Sequence, residues 1–286
     1  MGSLDFVAPL FVPGNRPERF AKAAASGADA IIIDLEDAVP TDAKELARAS
    51  LRVDFTTLPV LVRINGFGTT WYADDLVAVS KLPFAAIVFP KMEIAKFSVR
   101  SETALVEPAK SHPVVALIET ARGVSEARPI AELTSVARIA FGSIDYCADV
   151  GCSHTRDALL AARSELVLAS RLAGKLPPID GVTTTLDERQ VIVDDSRYAR
   201  DIGFGGKLCI HPRQVDGILT GFRPDESEIA WSRRVLSSGD GAVSVDGAMV
   251  DEPVRRRARS ILARSDTRQP ADDAVGGSSR SVADDW

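Results

Sequence analysis

Pro113-Val-Val-Ala-Leu-Ile-Glu119 decides the reading of this chain, taken with its neighbour Arg138-Ile-Ala-Phe-Gly-Ser-Ile-Asp145. Each is a short run of mostly apolar residues suited to burial on both faces of a parallel sheet, and each runs into a carboxylate where the strand should emerge. An unpaired carboxylate is too costly to bury, so both acids must reach water, a partner or a cation. They lie twenty-six residues apart, about one strand–helix unit, which predicts adjacent parallel strands roughly 4.8 Å apart. Oxygen ligation from Glu119 and Asp145 suits one hard divalent cation, Mg2+ in preference to zinc.

Working outward, the polar residues that close successive apolar runs are Glu36, Arg63, Lys91, Glu119 and Asp145, at intervals of 26 to 28 residues. A chain that returns a charge to the same end of its sheet once per unit builds a single rim, and in a barrel the C-terminal rim carries the chemistry. Strands are expected at Phe6–Val12, Ala30–Glu36, Val60–Asn65, Ala86–Lys91, Val114–Glu119, Ile139–Asp145, Ile179–Thr184 and Lys207–His211. Amphipathic stretches fall between them: Pro17–Ala25, Thr41–Arg48 with Thr41 as N-cap, Tyr72–Ser80, Gly123–Glu132 and, strongest of all, Asp157–Leu172. The alternation predicts an α/β fold, a (β/α)8 TIM barrel over residues 1–222. A small C-terminal extension follows over 223–264, with helices near Asp225–Ser237 and Pro253–Arg264 around a turn-rich, briefly β-like stretch. It is too small to fold alone and must dock on something. The tail, 265–286, has little to bury and is expected to be disordered.

With 286 residues the chain can bury a large core, and its net charge of −6 gives no support to nucleic-acid or anionic-membrane binding. Cys147, Cys152 and Cys209 read as reduced thiols of a cytosolic chain rather than as a zinc site. No apolar run approaches membrane-spanning length, and Met-Gly-Ser-Leu-Asp opens no secretory signal, so a soluble, cytoplasmic protein is expected.

The candidate site residues also have plainer readings. Glu119 and Asp145 could cap helices or pair with an arginine instead of holding a metal. Arg63 could hold a substrate carboxylate or an enolate, or be occupied by Glu36 or Asp37. Asp34 and Glu36 share a strand face, and part of this acidity should orient Arg63 or Lys91. Lys91 could form a Schiff base if burial lowered its pKa, although a rim lysine more often pairs with an acid. Arg16 and Arg19 lie near a glycine turn that opens a helix whose free amides could receive phosphate. His154 reads as a solvated loop residue, His211 as a shaper of the rim, and His112 as remote from the chemistry.

Taken together, Leu10-Phe-Val-Pro-Gly-Asn-Arg-Pro-Glu-Arg19, Asp34-Leu-Glu-Asp-Ala-Val39, Val62-Arg-Ile-Asn65 with Thr70 and Trp71, Phe89-Pro-Lys91, Leu117-Ile-Glu-Thr-Ala-Arg-Gly123, Phe141-Gly-Ser-Ile-Asp-Tyr-Cys-Ala-Asp149 and Ile210-His-Pro212 resemble the citrate lyase β-subunit-like CoA-ester lyases of the HpcH/HpaI aldolase group. The resemblance runs from about Leu10 to Arg264. It implies a Mg2+-dependent barrel that makes or breaks a carbon–carbon bond between an acyl-CoA enolate and a 2-oxo acid, as with malyl-CoA or citramalyl-CoA. Carried onto this chain, Glu119 and Asp145 match the metal ligands, with Glu119 also facing substrate, and Arg63 matches the substrate-binding arginine. Arg16 and Arg19 fall where coenzyme A approaches. Asp251, in Gly247-Ala-Met-Val-Asp-Glu-Pro253, matches the acid/base group of a lid that closes over a neighbouring subunit, so a homo-oligomer, trimer or hexamer, is expected. Glu36 joins Arg63 and Asp251 as a candidate catalytic residue. Ala8-Pro9 departs from the Arg-Ser usual in the family before the first strand. The alternatives are a CoA-independent pyruvate-type aldolase and a non-catalytic CoA-ester-binding subunit.

Overall fold

The computed structural model describes residues 4–94 and 112–266. Eight parallel strands stand in sequence order: β1 (Pro9–Pro13), β2 (Ala30–Asp34), β3 (Val60–Arg63), β4 (Ala86–Phe89), β5 (Val114–Ile118), β6 (Val136–Phe141), β7 (Ile179–Asp180) and β8 (Gly206–Lys207). Backbone bonds from Lys207 N–H to Val7 O (2.8 Å), Cys209 N–H to Pro9 O (3.0 Å) and Phe11 N–H to Cys209 O (2.8 Å) join β8 to β1 and bring the sheet round on itself. The helices are α1 (Phe20–Ala24), α2 (Lys44–Ala49), α3 (Tyr72–Val79), α4 (Ala121–Ser125), α5 (Ala127–Glu132), α6 (Ser143–Val150), α7 (Arg156–Leu172), α8 (Arg189–Asp201), α9 (Pro212–Phe222), α10 (Glu226–Ser237) and α11 (Glu252–Asp266). The (β/α)8 expectation is met.

Local chemistry sets many of the boundaries. Thr120, Thr155 and Asp225 each accept a backbone N–H from the first turn of α4, α7 and α10, and Asp225 with Glu228 forms a capping box. The expected Thr41 cap is not made: Thr41 lies inside a 3-10 turn, Thr41–Ala43, that leads into α2. The expected strand Ile139–Asp145 is also corrected. It starts at Val136 and stops at Phe141, because Gly142 turns the chain into α6 and leaves Asp145 in that helix's first turn. The helix α8 is absent from the sequence reading, although Ile192, Val193, Ser196 and Ala199 mark a buried stripe at helical spacing. The tail from residue 267 lies outside the described residues.

Strand alternation sorts the core into two shells. Ile32, Leu61, Val88, Val115, Leu117 and Leu208 pack inside the barrel, while Ile31, Ile33, Val62, Ile87, Ala116 and Ile118 pack against the helices. Arg138 lies on the inner face at the N-terminal end of β6. It is fully buried, bonded to the carbonyls of Leu4, Phe6 and Pro177 and stacked on the Phe6 ring, and so plugs the barrel floor.

Past the barrel, α10, the hairpin β9 (Val243–Val245) and β10 (Ala248–Val250), and α11 share a minor cluster around Val235, Val250 and Ala258. This appendage is tied to α8 through Arg200, which bonds Glu228 (3.0 Å) and the Arg223 carbonyl (2.8 Å).

Asp180 and Lys207 follow inward-facing positions in reverse phase and so point outward, where Arg163 of α7 meets them. Asp180 takes Arg163 at 2.8 Å and Lys207 at 2.9 Å with all three side chains buried. Burial alone would raise the Asp180 carboxyl, but Lys207 and Arg163 outweigh it and hold it below its ordinary value. A depressed folded pKa means that this stability is present above the unfolded value of roughly 3.9 and is lost as pH falls through the folded one. Asp180→Asn should cost about 3–5 kcal/mol in urea unfolding at neutral pH, since two buried cations lose their counter-charge. A loss below about 1 kcal/mol would remove the triad from the load on the fold.

Candidate active site

The inner-face positions at the C-terminal ends of β2, β3 and β5 are Asp34, Arg63 and Glu119. Register pairs Asp34 directly with Arg63 across β2 and β3, and the guanidinium grips the carboxylate through both oxygens at 2.7 Å. The remaining capacity of Asp34 accepts the N–H groups of Glu36 and Ala38 (both 2.9 Å). Burial would raise Asp34, yet Arg63 and these amides keep it below the usual carboxylate value. Arg63 also lies 3.1 Å from Glu36 and 3.6 Å from Asp37, and is stacked on Phe11 with its guanidinium carbon 4.9 Å from the ring centre. These acids more than offset its burial, so its charge is permanent. The expected arginine–acid pairing and an arginine at the rim therefore coexist.

Glu119 continues the inner face of β5 beyond Leu117. A Cβ at position 142 would collide with its carboxylate, so Gly142 is the space that Glu119 occupies. Its Oε1 accepts the Lys91 N–H at 2.7 Å, and Lys91 reaches it from a left-handed backbone, φ 50°, a conformation that non-glycine residues adopt rarely and mostly at constrained sites. Burial first, then repulsion from Glu36 and Asp145, pushes Glu119 up to about 8. Glu36 rises to about 6, through burial and the repulsion of Asp37 and Asp34, against the pull of Arg63 and Lys91.

Asp145, in the first turn of α6, lines the same cavity as Glu119, Asp34 and Arg63, a space of about 210 Å³ at the barrel mouth. Two carboxylates that repel each other across a partly dehydrated cavity are stabilised by a cation between them. The donors are all oxygen, which fits a hard divalent ion completed by water and substrate. No cluster of three His, Cys, Asp or Glu side chains with metal-holding geometry occurs among the described residues. Glu119 and Asp145 are the cavity residues that could contribute to such a shell.

Other sequence candidates fall elsewhere. Lys91 lies 3.3 Å from Glu36 and its pKa is raised: burial pulls it down, but Glu36, Asp37 and Glu119 prevail, the reverse of what a Schiff-base lysine needs. Glu36 bridges Arg63 and Lys91 and lines an adjoining groove with Lys44, Asn65 and Trp71. Arg16 is exposed and paired with Glu18 at 2.6 Å, and Arg19, one turn on, is half-buried; neither lines the cavity. Asp251 is half-buried at the start of α11, where its Oδ1 accepts the Val254 N–H (3.3 Å), and no residue of the appendage lines its own chain's cavity.

The model matched by residues 8–212 is that of HpcH/HpaI aldolase/citrate lyase. The chain belongs to this family. A citrate lyase subunit beta-like protein of Deinococcus radiodurans is 38% identical over 271 residues, which cover 88% of this chain and 95% of that one. A (3S)-malyl-CoA thioesterase of Cereibacter sphaeroides is 32% identical, covering 91% and 95%. The crystal structure of CitE from Mycobacterium tuberculosis in complex with magnesium, acetoacetate and coenzyme A aligns with TM-score 0.81 and 35% identity over 91% of this chain and 98% of that one. The family thus contains both lyase subunits and thioesterases of CoA esters.

Within this HpcH/HpaI member several polar residues around the site escaped the sequence reading. Lys44 is buried and donates to the carbonyls of Leu35 and Glu36 and to Asn65 Oδ1, each at 2.7 Å, which holds the acidic turn after β2 in place. Asn65 and Arg48 converge on buried Asp75. His154 is no free loop residue: its Nε2 meets Ser143 Oγ at 2.9 Å, fastening the start of α6 two residues before Asp145. His211 caps α9 by accepting the Arg213 N–H, and His112 is buried against the Leu82 carbonyl. Cys147 and Cys152 approach to 3.7 Å as free thiols.

A raised Glu119 has a thermodynamic sign. In EDTA-treated protein the folded state alone keeps this proton between roughly pH 4.3 and 8, so stability falls as pH rises through that window. Glu119→Gln should flatten that slope in thermal unfolding series at pH 5 to 8, and an unchanged slope would show that Glu119 does not titrate there.

Proposed function

We propose that this protein is a Mg2+-dependent carbon–carbon lyase acting on a 3-hydroxyacyl-CoA, of the malyl-CoA or citramalyl-CoA type, and yielding an acyl-CoA and a 2-oxo acid. The observation that carries the reading is the carboxylate pair Glu119 and Asp145 beside the fixed guanidinium of Arg63 at the barrel mouth. The relative crystallised with magnesium, acetoacetate and coenzyme A supports it.

Glu119 and Asp145 would hold the ion, which when bound supplies Lewis acidity and a template for the oxo acid's oxygens. In cleavage the substrate hydroxyl passes its proton to solvent water at the open barrel mouth, the bond between C2 and C3 breaks as the oxygen's electrons form the new carbonyl, and the pair from the broken bond passes to the thioester as an enolate. Arg63, kept in register by Asp34, stabilises that negative charge. The enolate then takes a proton at its α-carbon to give the acyl-CoA, and we assign this proton to Asp251 of a neighbouring subunit in a homo-oligomer. Support comes from an appendage whose hairpin leaves Met249 71% exposed while Asp251 stands beside it. Arg16, exposed beyond the end of β1, and the half-buried Arg19 are assigned to coenzyme A.

The decisive assay incubates malyl-CoA, citramalyl-CoA and related esters with Mg2+ and follows both oxo acid and free thiol. Oxo acid without thiol is lyase chemistry; thiol without oxo acid would replace this reading with the thioesterase activity of the Cereibacter relative. Asp251→Asn should abolish turnover and leave ester binding largely intact, and full activity in that variant would remove the appendage from the mechanism. Gly142→Ala should weaken Mg2+ binding by tenfold or more, about 1.4 kcal/mol or above, because its methyl group takes the place of the Glu119 carboxylate. Gly66→Ala, where an added Cβ meets nothing within 4 Å, is the matched control.

A further inference from the structure

Helix α6 carries Asp145 in its first turn and a pair of thiols at its other end. Gly151 takes the left-handed conformation, φ 76°, that stops the helix, and its N–H and that of Cys152 both bond the Cys147 carbonyl, at 2.8 and 3.1 Å. A cap of this kind folds the chain back over the last turn, so that the residue after the left-handed one meets the side chain five positions earlier. Here both are cysteine. Their sulfurs stand 3.7 Å apart as free thiols. Cys147 is buried and Cys152 half-buried, so one sulfur is open to a small reagent and the other lies behind it. The third thiol, Cys209, is fully buried elsewhere and donates to the His211 carbonyl (3.1 Å).

A structural zinc site needs four ligands. Among the described residues no three His, Cys, Asp or Glu side chains have metal-holding geometry, and His154, the next candidate along the chain, is engaged by Ser143. Packing of the helix end asks only for apolar side chains at positions 147 and 152. Thiols there add the capacity to join.

We propose that Cys147 and Cys152 are a dithiol site that hydrogen peroxide closes reversibly to a disulfide, and that closure weakens the neighbouring metal site. In the first step the Cys152 sulfur, as thiolate, attacks a peroxide oxygen. The S–O bond forms, the O–O bond breaks, and the departing hydroxide takes up the proton that the thiol released. In the second step the Cys147 sulfur displaces that oxygen: the S–S bond forms, the S–O bond breaks, and hydroxide leaves with the Cys147 proton as water. Two electrons pass from the sulfurs to the peroxide, and a dithiol reductant returns them.

The bond ties together two supports of Asp145. Cys147 follows it by two residues in α6, and Cys152 precedes by two the His154 whose Nε2 meets Ser143 Oγ at 2.9 Å. Bringing the sulfurs from 3.7 Å to a bonding distance of about 2.05 Å pulls residues 151–154 against the helix. Those residues carry the contact that fixes the start of α6, where Ser143, Ile144 and Asp145 line the cavity. Groups that orient metal ligands commonly govern affinity by about 10- to 100-fold. The effect on the ion rests on the metal reading above, whereas the thiol chemistry does not.

For the test, full-length protein is reduced, desalted, exposed to hydrogen peroxide, alkylated and digested with trypsin. Both cysteines fall in one peptide, residues 139–156. It should lose two hydrogens by mass and resist alkylation until dithiothreitol is added. Calorimetric titration with Mg2+ should show binding about tenfold weaker in the oxidised than in the reduced protein, restored by dithiothreitol. Cys152→Ser should keep its Mg2+ affinity through the same treatment, which separates the dithiol from oxidation of methionines or Cys209. Cys147→Ala should stop at a sulfenic acid on Cys152 that dimedone captures. A 139–156 peptide whose two thiols still alkylate after peroxide overturns the site. A disulfide that forms with Mg2+ affinity unchanged overturns its hold on the ion. If the reduced protein binds no Mg2+, the metal reading fails and takes that hold with it, while the mapped disulfide still decides the thiol chemistry.

Discussion

The two-pronged grip of Arg63 on Asp34 is the interaction on which the barrel mouth depends. Strand register brings the two residues opposite each other on the inner face, so the pair needs no side-chain search to form. With Asp34 fully paired and the guanidinium seated on Phe11, a permanent positive charge stands at a fixed place in a low-dielectric cavity. Glu36 and Asp37 gather beside that charge. Glu36 is held between Arg63 and Lys91, Lys91 is turned by its left-handed backbone, and its N–H meets Glu119.

The fold manages charge differently on the two faces of the same strand ends. Outward, Asp180 is matched by Arg163 and Lys207 and its carboxyl is depressed, which is the signature of a structural acid. Inward, Glu119 is buried near other acids with one backbone donor and its carboxyl is pushed up, which is the signature of a group that awaits a cation or a proton. Both acids sit at strand ends of one barrel. Which of the two conditions each experiences is set by the parity of its position along the strand.

The appendage poses a complementary problem. Its core is a few residues around Val235, Val250 and Ala258, and its hold on the barrel runs through Arg200 to Glu228 and the Arg223 carbonyl. Its hairpin leaves Met249 exposed close in sequence to Asp251.

Much of this was legible in the sequence, because apolar runs of strand length recurring with intervening amphipathic helices leave few architectures that bury both faces of a parallel sheet. The even return of Glu36, Arg63, Lys91 and Glu119 gave the rim, and the motif from Leu117 to Gly123 gave one acid of the pair. Residues whose role depends on distant partners were not legible. Nothing in the local sequence says that Lys44 braces the turn after β2, that His154 fastens Ser143, or that Asp180 faces helices while Glu119 faces the cavity. Asp145 shows the limit best: its proximity to Glu119 could be inferred from spacing, but its seat in a helix rather than a strand depended on Gly142 yielding its side-chain volume to a carboxylate from the neighbouring strand. The sequence by itself thus determined the order of the staves and the end at which charge collects. Tertiary structure alone decided which charges are neutralised, since pairing, desolvation and the cavity arise only when strands far apart in the chain are brought within a few ångströms.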